Sequence, residues 1–345
     1  MSPYVLFIML SSLALGTMLT FTSSHWLLAW MSLEINTLAI IPLMIKHHHP
    51  RATEATTKYF LTQATASTLI LFSTMMNAWT TGQWGLKEMS TLPSNMMTIA
   101  FMMKLGIAPL HFWLPEVIQG LDLTTGMILS TWQKLAPMVL IYLIHTTLNS
   151  HLMMLFGLLS ILIGGWSGLN QTQLRKIMAF SSISHLGWMM VVLTLCPPIF
   201  LFNLSVYLIL TLSMFLTFKY LNTTKLNSMA SLWSKTPVLT AFSTITLLSL
   251  GGLPPTTGFT PKWLILHELT KNNLSTLATI MAISALLSLF FYLRLCYSLT
   301  PTQSPNLNNS TTTWRYKSTQ PTMLISISTI LSLTLLPLTP LMIYM

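Results

Sequence analysis

Lys104-Leu105-Gly106-Ile107-Ala108-Pro109-Leu110-His111-Phe112-Trp113-Leu114-Pro115 lies inside an apolar run over residues 95–119. Pro109 and Pro115 remove helix donors, and Gly106 weakens the turn before them, so a helix entering this segment must break. In lipid, carbonyls freed by a break need protein or water partners, which restricts such breaks to backbone lining a cavity. Outward from here the chain divides into eleven stretches, at 3–21, 25–45, 59–79, 95–119, 124–145, 150–170, 173–195, 198–220, 237–270, 274–299 and 321–343. Each has the length that crosses a hydrocarbon layer of ~30 Å. The fourth and ninth are too long and too interrupted by proline to be plain helices. Together the spans use most of the 345 residues, and the only loop of any size is the Thr/Asn/Pro-rich stretch 300–320. The expected fold is all-α: one polytopic transmembrane bundle of about eleven helices.

Composition agrees. Hydrophobic residues make up 52% and charged residues 6% of the chain, against roughly a quarter charged in a soluble domain. The net charge of +10 does not point to nucleic acid, because phosphate binding needs cations clustered on one face, and here they are scattered between apolar runs. Cys196 and Cys296 lie far apart with no CxxC spacing, which offers nothing for a disulfide framework, a zinc ion or an iron–sulfur cluster. No G-x-G occurs, so the dinucleotide and nucleotide phosphate cradles are missing too. Neither a metal nor a cofactor is expected on this chain. The first span lacks a basic leading region and a convincing cleavage site and reads as a retained helix.

Loop cations set the orientation, since the side of synthesis collects Lys and Arg. Loops on the side of the N-terminus carry Lys46, Arg51, Lys58, Arg175, Lys176, Lys219, Lys225, Lys235, Arg315 and Lys317, whereas the other side has Lys87 and Lys271. This split puts the N-terminus on the insertion side and the C-terminus opposite. Arg294 sits near a span end and can snorkel. Lys104, Lys134 and Lys262 fall inside spans, as does the one mid-span acid, Glu34. At about 2.5–3.5 kcal/mol each, the four would cost on the order of 10–14 kcal/mol to insert. Such groups usually face a bundle interior and line an ion pathway. A buried pair that only fixes helix register is the alternative reading of Glu34 with one lysine, but one acid does not neutralise three lysines.

A second segment, Leu250-Gly251-Gly252-Leu253-Pro254-Pro255-Thr256-Thr257-Gly258-Phe259-Thr260-Pro261-Lys262, repeats the order of the first: Leu-Gly, Pro three residues after that Gly, an aromatic, then Pro. The predicted breaks are at Gly106, Pro109 and Pro115 and at Gly251, Pro254 and Pro255. The first falls in the fourth of spans one to five, and the second in the fourth of spans six to ten. Since five is odd, the second set runs through the membrane in the opposite sense, and broken helices at corresponding positions of two halves are the pointer to inverted-repeat transport. The chain therefore divides into a first five-helix repeat over 1–146, an inverted repeat over 148–299 and a final helix over 321–343. The second span of each half carries a titratable residue, Glu34 and His185. His185 reads equally as a proton relay or as a hydrogen-bonded core histidine. Gly157, Gly164 and Gly168 share a face and read as close packing. His47-His48-His49 reads as a solvated or headgroup-facing loop rather than a metal site, and Glu116 and Asp122 read as surface charges in preference to an entry for protons.

Met31-Ser32-Leu33-Glu34-Ile35-Asn36, Lys104 before Pro109-Leu110-His111-Phe112-Trp113-Leu114-Pro115, Lys134 before Pro137, and Ser184-His185-Leu186-Gly187 together resemble the antiporter-like membrane subunits of respiratory complex I. The resemblance covers essentially the whole chain, which is similar to an animal version lacking the opening helices of the bacterial members. It implies proton translocation in a membrane arm, driven by quinone reduction elsewhere, with Glu34 pairing with Lys104, Lys134 linking the halves, His185 as the polar bridge and Lys262 as the terminal lysine. It also implies that NADH, FMN, the iron–sulfur clusters and ubiquinone are handled by partner subunits. Partners would be other membrane-arm and accessory subunits and lipids such as cardiolipin. The location implied is the mitochondrial inner membrane, N-terminus in the matrix and C-terminus in the intermembrane space, and the abundance of Met, Thr, Leu and Ile suits a mitochondrial genome. A cation/proton antiporter of the Mrp type and an inert scaffold are the other readings.

Overall fold

Apolar runs that meet no water must satisfy every backbone donor and acceptor within the segment, and the helix does so locally. The computed structural model describes residues 2–46, 48–230, 232–233, 236–300 and 322–339, and within them the regular structure is helical. Contacts divide the chain into two units, Met1–Ser160 and Ile161–Met345.

The first unit contains α1 (Pro3–Thr22), α2 (Trp26–Met44), α3 (Pro50–Thr81), α4 (Thr91–Leu105), α5 (Trp113–Gly120), α6 (Leu123–Ser130) and α7 (Trp132–Ile144). It packs α1 on α2, α3 on α4 and α5, and α7 against α1, α2 and α4. Helix α8 (Ser150–Gly168) runs from the first unit into the second. The second unit continues with α9 (Leu174–Leu193), α10 (Pro197–Tyr220), the short α11 (Leu226–Met229), α12 (Pro237–Gly251), α13 (Phe259–Lys271), α14 (Ser275–Leu299) and α15 (Met323–Thr334), followed by a 3₁₀ turn at Leu336–Leu338. Its centre is α9, where every residue from Ile177 to Leu193 is buried.

Seven helices among the described residues are long and apolar enough to cross a membrane: α1, α2, α6 with α7, α8, α9, α10 and α14. Ser and Thr are frequent inside them at little cost, because hydroxyls such as those of Ser32 and Ser181 bond back to carbonyls one turn earlier, 2.8 Å away in both cases. Helix α3 starts nine residues before the predicted span, with His49 as its cap: the ring Nδ1 accepts from Arg51 N at 3.1 Å. Those opening turns carry Arg51, Glu54 and Lys58, so they extend the helix beyond its apolar length. Of the histidine run, His47 lies outside the described residues, and among the described residues no group of metal-ligating side chains is found.

Both predicted breaks are present, between α4 and α5 and between α12 and α13. The second is shifted by one residue from its sequence register. Gly251 closes α12 as a helical residue, and Gly252 takes the left-handed conformation, φ 79°, that Gly106 takes at φ 73° after α4. Gly106 therefore corresponds to Gly252, and Pro109 to Pro255. A further break was not predicted: Thr131 leaves helical geometry at φ −114°, ψ −69° and divides the fifth span into α6 and α7, with Pro137 inside α7. The predicted last span, 321–343, is helical over Met323–Thr334, and the loop 301–320 and residues 340–345 lie outside the described residues.

Candidate functional site

Three carbonyls freed at the first break, those of Met102, Met103 and Lys104, find donors, and neutral groups supply them. Met102 O accepts from Ile107 N at 2.9 Å and Met103 O from Gly106 N at 3.2 Å. The Trp113 indole also donates to Met103 O at 3.2 Å, and the Gln63 amide of α3 donates to Lys104 O at 3.3 Å. The left-handed turn at Gly106 is close-packed as well as conformationally demanding, because a Cβ there would sit 2.9 Å from Leu114 Cδ1. This turn leaves Lys104 in the last turn of α4, where the negative end of the helix dipole favours a cation. The side chain is 6% exposed, and its Nζ is buried without a hydrogen-bond partner among the described residues.

Lys104 lines a cavity of about 20 Å³, measured as space open to the centre of a water-sized sphere. That is room for about one water. Lys134 of α7, 5% exposed, lines the same cavity, together with Gln63, Gln133, Asn36 and Tyr59. Two of the three predicted lysines thus meet at one buried space. Gln133 Nε2 donates to Asn36 O at 3.0 Å and ties α7 to α2, while both side-chain amide atoms of Asn36 are buried without a partner.

Glu34 lies one turn of α2 from this lining. Its Oε2 is buried without a hydrogen-bond partner, and among the described residues no ion pair joins it to Lys104. Its charge nevertheless acts on both Lys104 and Tyr59. Two unpaired groups of opposite charge, close enough to interact but not in contact, form an arrangement that a proton or a side-chain movement can change.

At the second break a charged group does the capping. Gly252 N bonds to the Leu248 and Ser249 carbonyls at 3.1 and 3.0 Å. The last two carbonyls of α12, at Leu250 and Gly251, accept from Lys262 Nζ at 3.5 and 2.9 Å. Lys262 belongs to the first turns of α13 and reaches back across the break. Gly252 leaves it room, since a Cβ there would stand 2.9 Å from Lys262 Cδ and 3.0 Å from Nζ. His185 of α9 is buried in the same unit, its Nε2 3.3 Å from the Tyr292 hydroxyl of α14 and its ring 5.6 Å from that of Tyr207 of α10.

Among the weaker candidates, Gly164 packs against Ser184 of α9 and Gly168 against Phe291 of α14, so these glycines serve close approach. Glu116 is exposed and paired: Lys58 bonds Glu116 Oε2 at 2.8 Å and Glu54 Oε1 at 2.7 Å, joining α5 to α3. These two partners hold the Lys58 amine above the usual lysine range, and Lys58 holds the Glu54 carboxyl below its own. Reading the sequence for charges missed Gln63, Gln133, Asn36, Tyr59, Tyr207 and Tyr292. Their signal was present as neutral polar side chains within long apolar helices.

The chain is similar to known proteins along its whole length. The family model described as "NADH:quinone oxidoreductase/Mrp antiporter, TM" matches residues 23–288, and one described as "NADH dehydrogenase subunit 2 C-terminus" matches 289–343. The NADH-ubiquinone oxidoreductase chain 2 of Squalus acanthias is 61% identical over 341 residues, 99% of this chain and 98% of the relative. That of Xenopus laevis is 60% identical over 342 residues, 99% of each. In fold, a chain of respiratory complex I from Thermus thermophilus matches with a TM-score of 0.86 at 23% identity, over 100% of this chain and 80% of that one. A chain of the Mrp complex from a Dietzia species matches with a TM-score of 0.83 at 16% identity, over 96% and 74%. The chain belongs to the NADH-ubiquinone oxidoreductase chain 2 family, within the NADH:quinone oxidoreductase/Mrp antiporter membrane proteins.

Proposed function

We propose that this chain is a proton-translocating subunit of the membrane arm of respiratory complex I, with Glu34, Lys104, Lys134, His185 and Lys262 as its proton-bearing groups. The observation that carries this reading is the small buried cavity shared by Lys104 and Lys134, lined by neutral amides and by no acid. Two ammonium groups facing one space of low polarity repel each other, so protonation of one raises the cost of protonating the other. Charge placed on one lysine is thereby felt at the next without any mass moving between them. Glu34 lies within electrostatic reach of Lys104. A cavity walled by lysines is a poor sodium site, which disfavours cation exchange of the Mrp type.

On this reading the chain comprises two inverted five-helix repeats, 1–146 and 148–299, with a broken helix in each, and a closing helix at 321–343, about eleven spans in all. It lies in the mitochondrial inner membrane with the N-terminus in the matrix and the C-terminus in the intermembrane space. NADH, FMN, iron–sulfur and ubiquinone chemistry belongs to partner subunits, and cardiolipin and other lipids cover part of its apolar surface. The test is Lys134→Met in the assembled complex, reconstituted in vesicles, with protons moved per electron measured beside quinone reduction. Methionine keeps the length of the side chain and deletes the charge. Loss of coupled activity at normal assembly is expected, and wild-type stoichiometry and rate would sink the proposal.

A further inference from the structure

The second unit holds a cavity whose lining includes none of the proton-bearing groups. It has a volume of about 490 Å³ and lies where α10 ends at Tyr220, α12 begins at Pro237 after Thr236, and α15 begins at Met323 after Thr322. Its walls are apolar, with Val238 and Phe242 supplied by α12 and Ile325, Ile330 and Leu333 by α15. Two hydroxyls in the α15 wall are satisfied within their own helix, Ser326 donating to Met323 O at 2.8 Å and Thr329 to Ile325 O at 2.9 Å. They therefore present no unmet polar group to an occupant. Val238, Phe242 and Ile330 are exposed, so the cavity is a groove that opens to whatever surrounds the unit. From Thr322 to Leu333 its α15 wall runs about 16 Å at 1.5 Å per residue. That is close to the depth of one leaflet of hydrocarbon, half of ~30 Å.

The end of the groove where the three helix termini meet is polar and positive. Thr236 Oγ1 is buried there without a hydrogen-bond partner among the described residues. Neither Thr236 nor Thr322 caps its helix with its side chain, which leaves the positive ends of α12 and α15 open to an outside acceptor. Lys219, exposed in the last turn of α10, precedes Tyr220 and offsets the negative end of that helix. We propose that this groove binds an acyl chain of an anionic phospholipid, with the phosphate held at the mouth by Lys219, Thr236 and the two helix starts, and the chain running along α15 to Leu333. An apolar wall of leaflet depth selects a hydrocarbon chain, and unmet donors with positive charge at one end alone select an anionic headgroup. The placement rests on the reading that the chain lies in a membrane arm, and it does not depend on which groups carry protons.

The experiment is photolabelling of the assembled complex in vesicles containing phosphatidylglycerol or phosphatidylcholine, each with a diazirine at the tip of one acyl chain, followed by peptide mapping. Phosphatidylglycerol should label α15 around Thr329 and Leu333, and more strongly than phosphatidylcholine does. Val238→Trp fills the groove from an exposed position and should lower labelling of α15 by roughly tenfold, which is what excluding two methylenes is worth. Lys219→Gln should lower the preference for phosphatidylglycerol by roughly fivefold, the worth of one lysine beside an anionic headgroup. No labelling of α15 beside labelling elsewhere in the complex, or labelling that Val238→Trp leaves unchanged, would overturn the acyl-chain site. Equal labelling by the two lipids would overturn the anionic headgroup. A photoreactive amino acid placed at 330 that crosslinks to a peptide of another subunit would show protein in the groove and overturn the proposal outright. If Val238→Trp reduces assembly, Ile330→Trp blocks the groove from its other wall, and unchanged labelling there counts equally against it. Proton transfer is read separately, so a negative result here leaves the proton pathway standing, and wild-type stoichiometry in Lys134→Met leaves this site standing.

Discussion

Replacing Lys262 by methionine separates what this lysine does for the fold from what it does for transport. Its ammonium supplies the donor for the two carbonyls that end α12, at 2.9 and 3.5 Å. Losing hydrogen bonds from a charged donor costs about 1.5–3 kcal/mol. Deleting the charge also removes an insertion penalty of about 2.5–3.5 kcal/mol. The two terms oppose each other and are of similar size, so the variant should assemble close to wild type. Transport has no such compensation, because methionine neither carries a proton nor changes charge. Blue-native gels would give the amount of assembled complex, and vesicles with a pH-sensitive dye would give protons per electron. Lys262→Arg, which keeps the charge and the donors, should assemble normally and lose proton exchange, since a guanidinium does not release its proton in this range. Wild-type stoichiometry in Lys262→Met would refute the reasoning and leave Lys262 a helix cap with a charge incidental to function.

Glu34→Gln removes the only acid acting on Lys104 from within α2 and should reduce proton pumping with assembly retained; unchanged pumping in fully assembled complex would return Glu34 to a structural role. Protease added outside intact mitoplasts should remove a tag at the C-terminus and spare one placed in the 300–320 loop, and the reverse pattern would overturn the orientation. The Lys58 pair with Glu54 and Glu116 should contribute steadily over the neutral range. Glu54 sits below its ordinary 4.5, so its share is present above that value and lost as acid protonates the folded form; Lys58 sits above its ordinary 10.5, so its share is present below that value and lost in strong alkali. Because these side chains are exposed, Lys58→Ala should change thermal stability of the detergent-solubilised complex only slightly, and less at high salt.

The all-helical fold was legible because runs of Leu, Met and Ile of membrane length have one way to satisfy their backbones. The breaks were legible because Gly106 with Pro109, and Gly251-Gly252 with Pro254-Pro255, remove donors and admit a left-handed turn. The register of the second break was not: two adjacent glycines before two adjacent prolines are indistinguishable in sequence, and packing against Lys262 selects Gly252. The break at Thr131 was hidden because neither Gly nor Pro stands there. Lys104 and Lys134 were visible as charges in apolar runs, yet their meeting at one cavity depends on α4 and α7 being neighbours. Lys58 and Glu116 likewise pair across 58 residues of sequence. Asn36, Gln63, Gln133 and Tyr292 escaped notice because they carry no formal charge, although a buried amide or phenol also requires a partner.

The two breaks solve one electrostatic problem in different ways, and the difference assigns their lysines different work. A helix ending inside a membrane exposes carbonyls whose partial negative charge attracts a cation. At α4 the indole of Trp113 and the amide of Gln63 take up those carbonyls. Lys104 is thereby left with its ammonium uncommitted, facing a cavity and within the field of Glu34. At α12, among the described residues, no neutral side chain performs that task, and Lys262 spends its donors on Leu250 and Gly251. Losing a proton at Lys104 therefore changes charge and little else, whereas losing one at Lys262 also removes the charge that strengthens its hydrogen bonds to the end of α12. Charge change at the second break is coupled to backbone hydrogen bonding, and at the first break it is not. The two lysines stand differently in their surroundings: Lys104 has its ammonium free of hydrogen bonds among the described residues, and Lys262 holds a helix end.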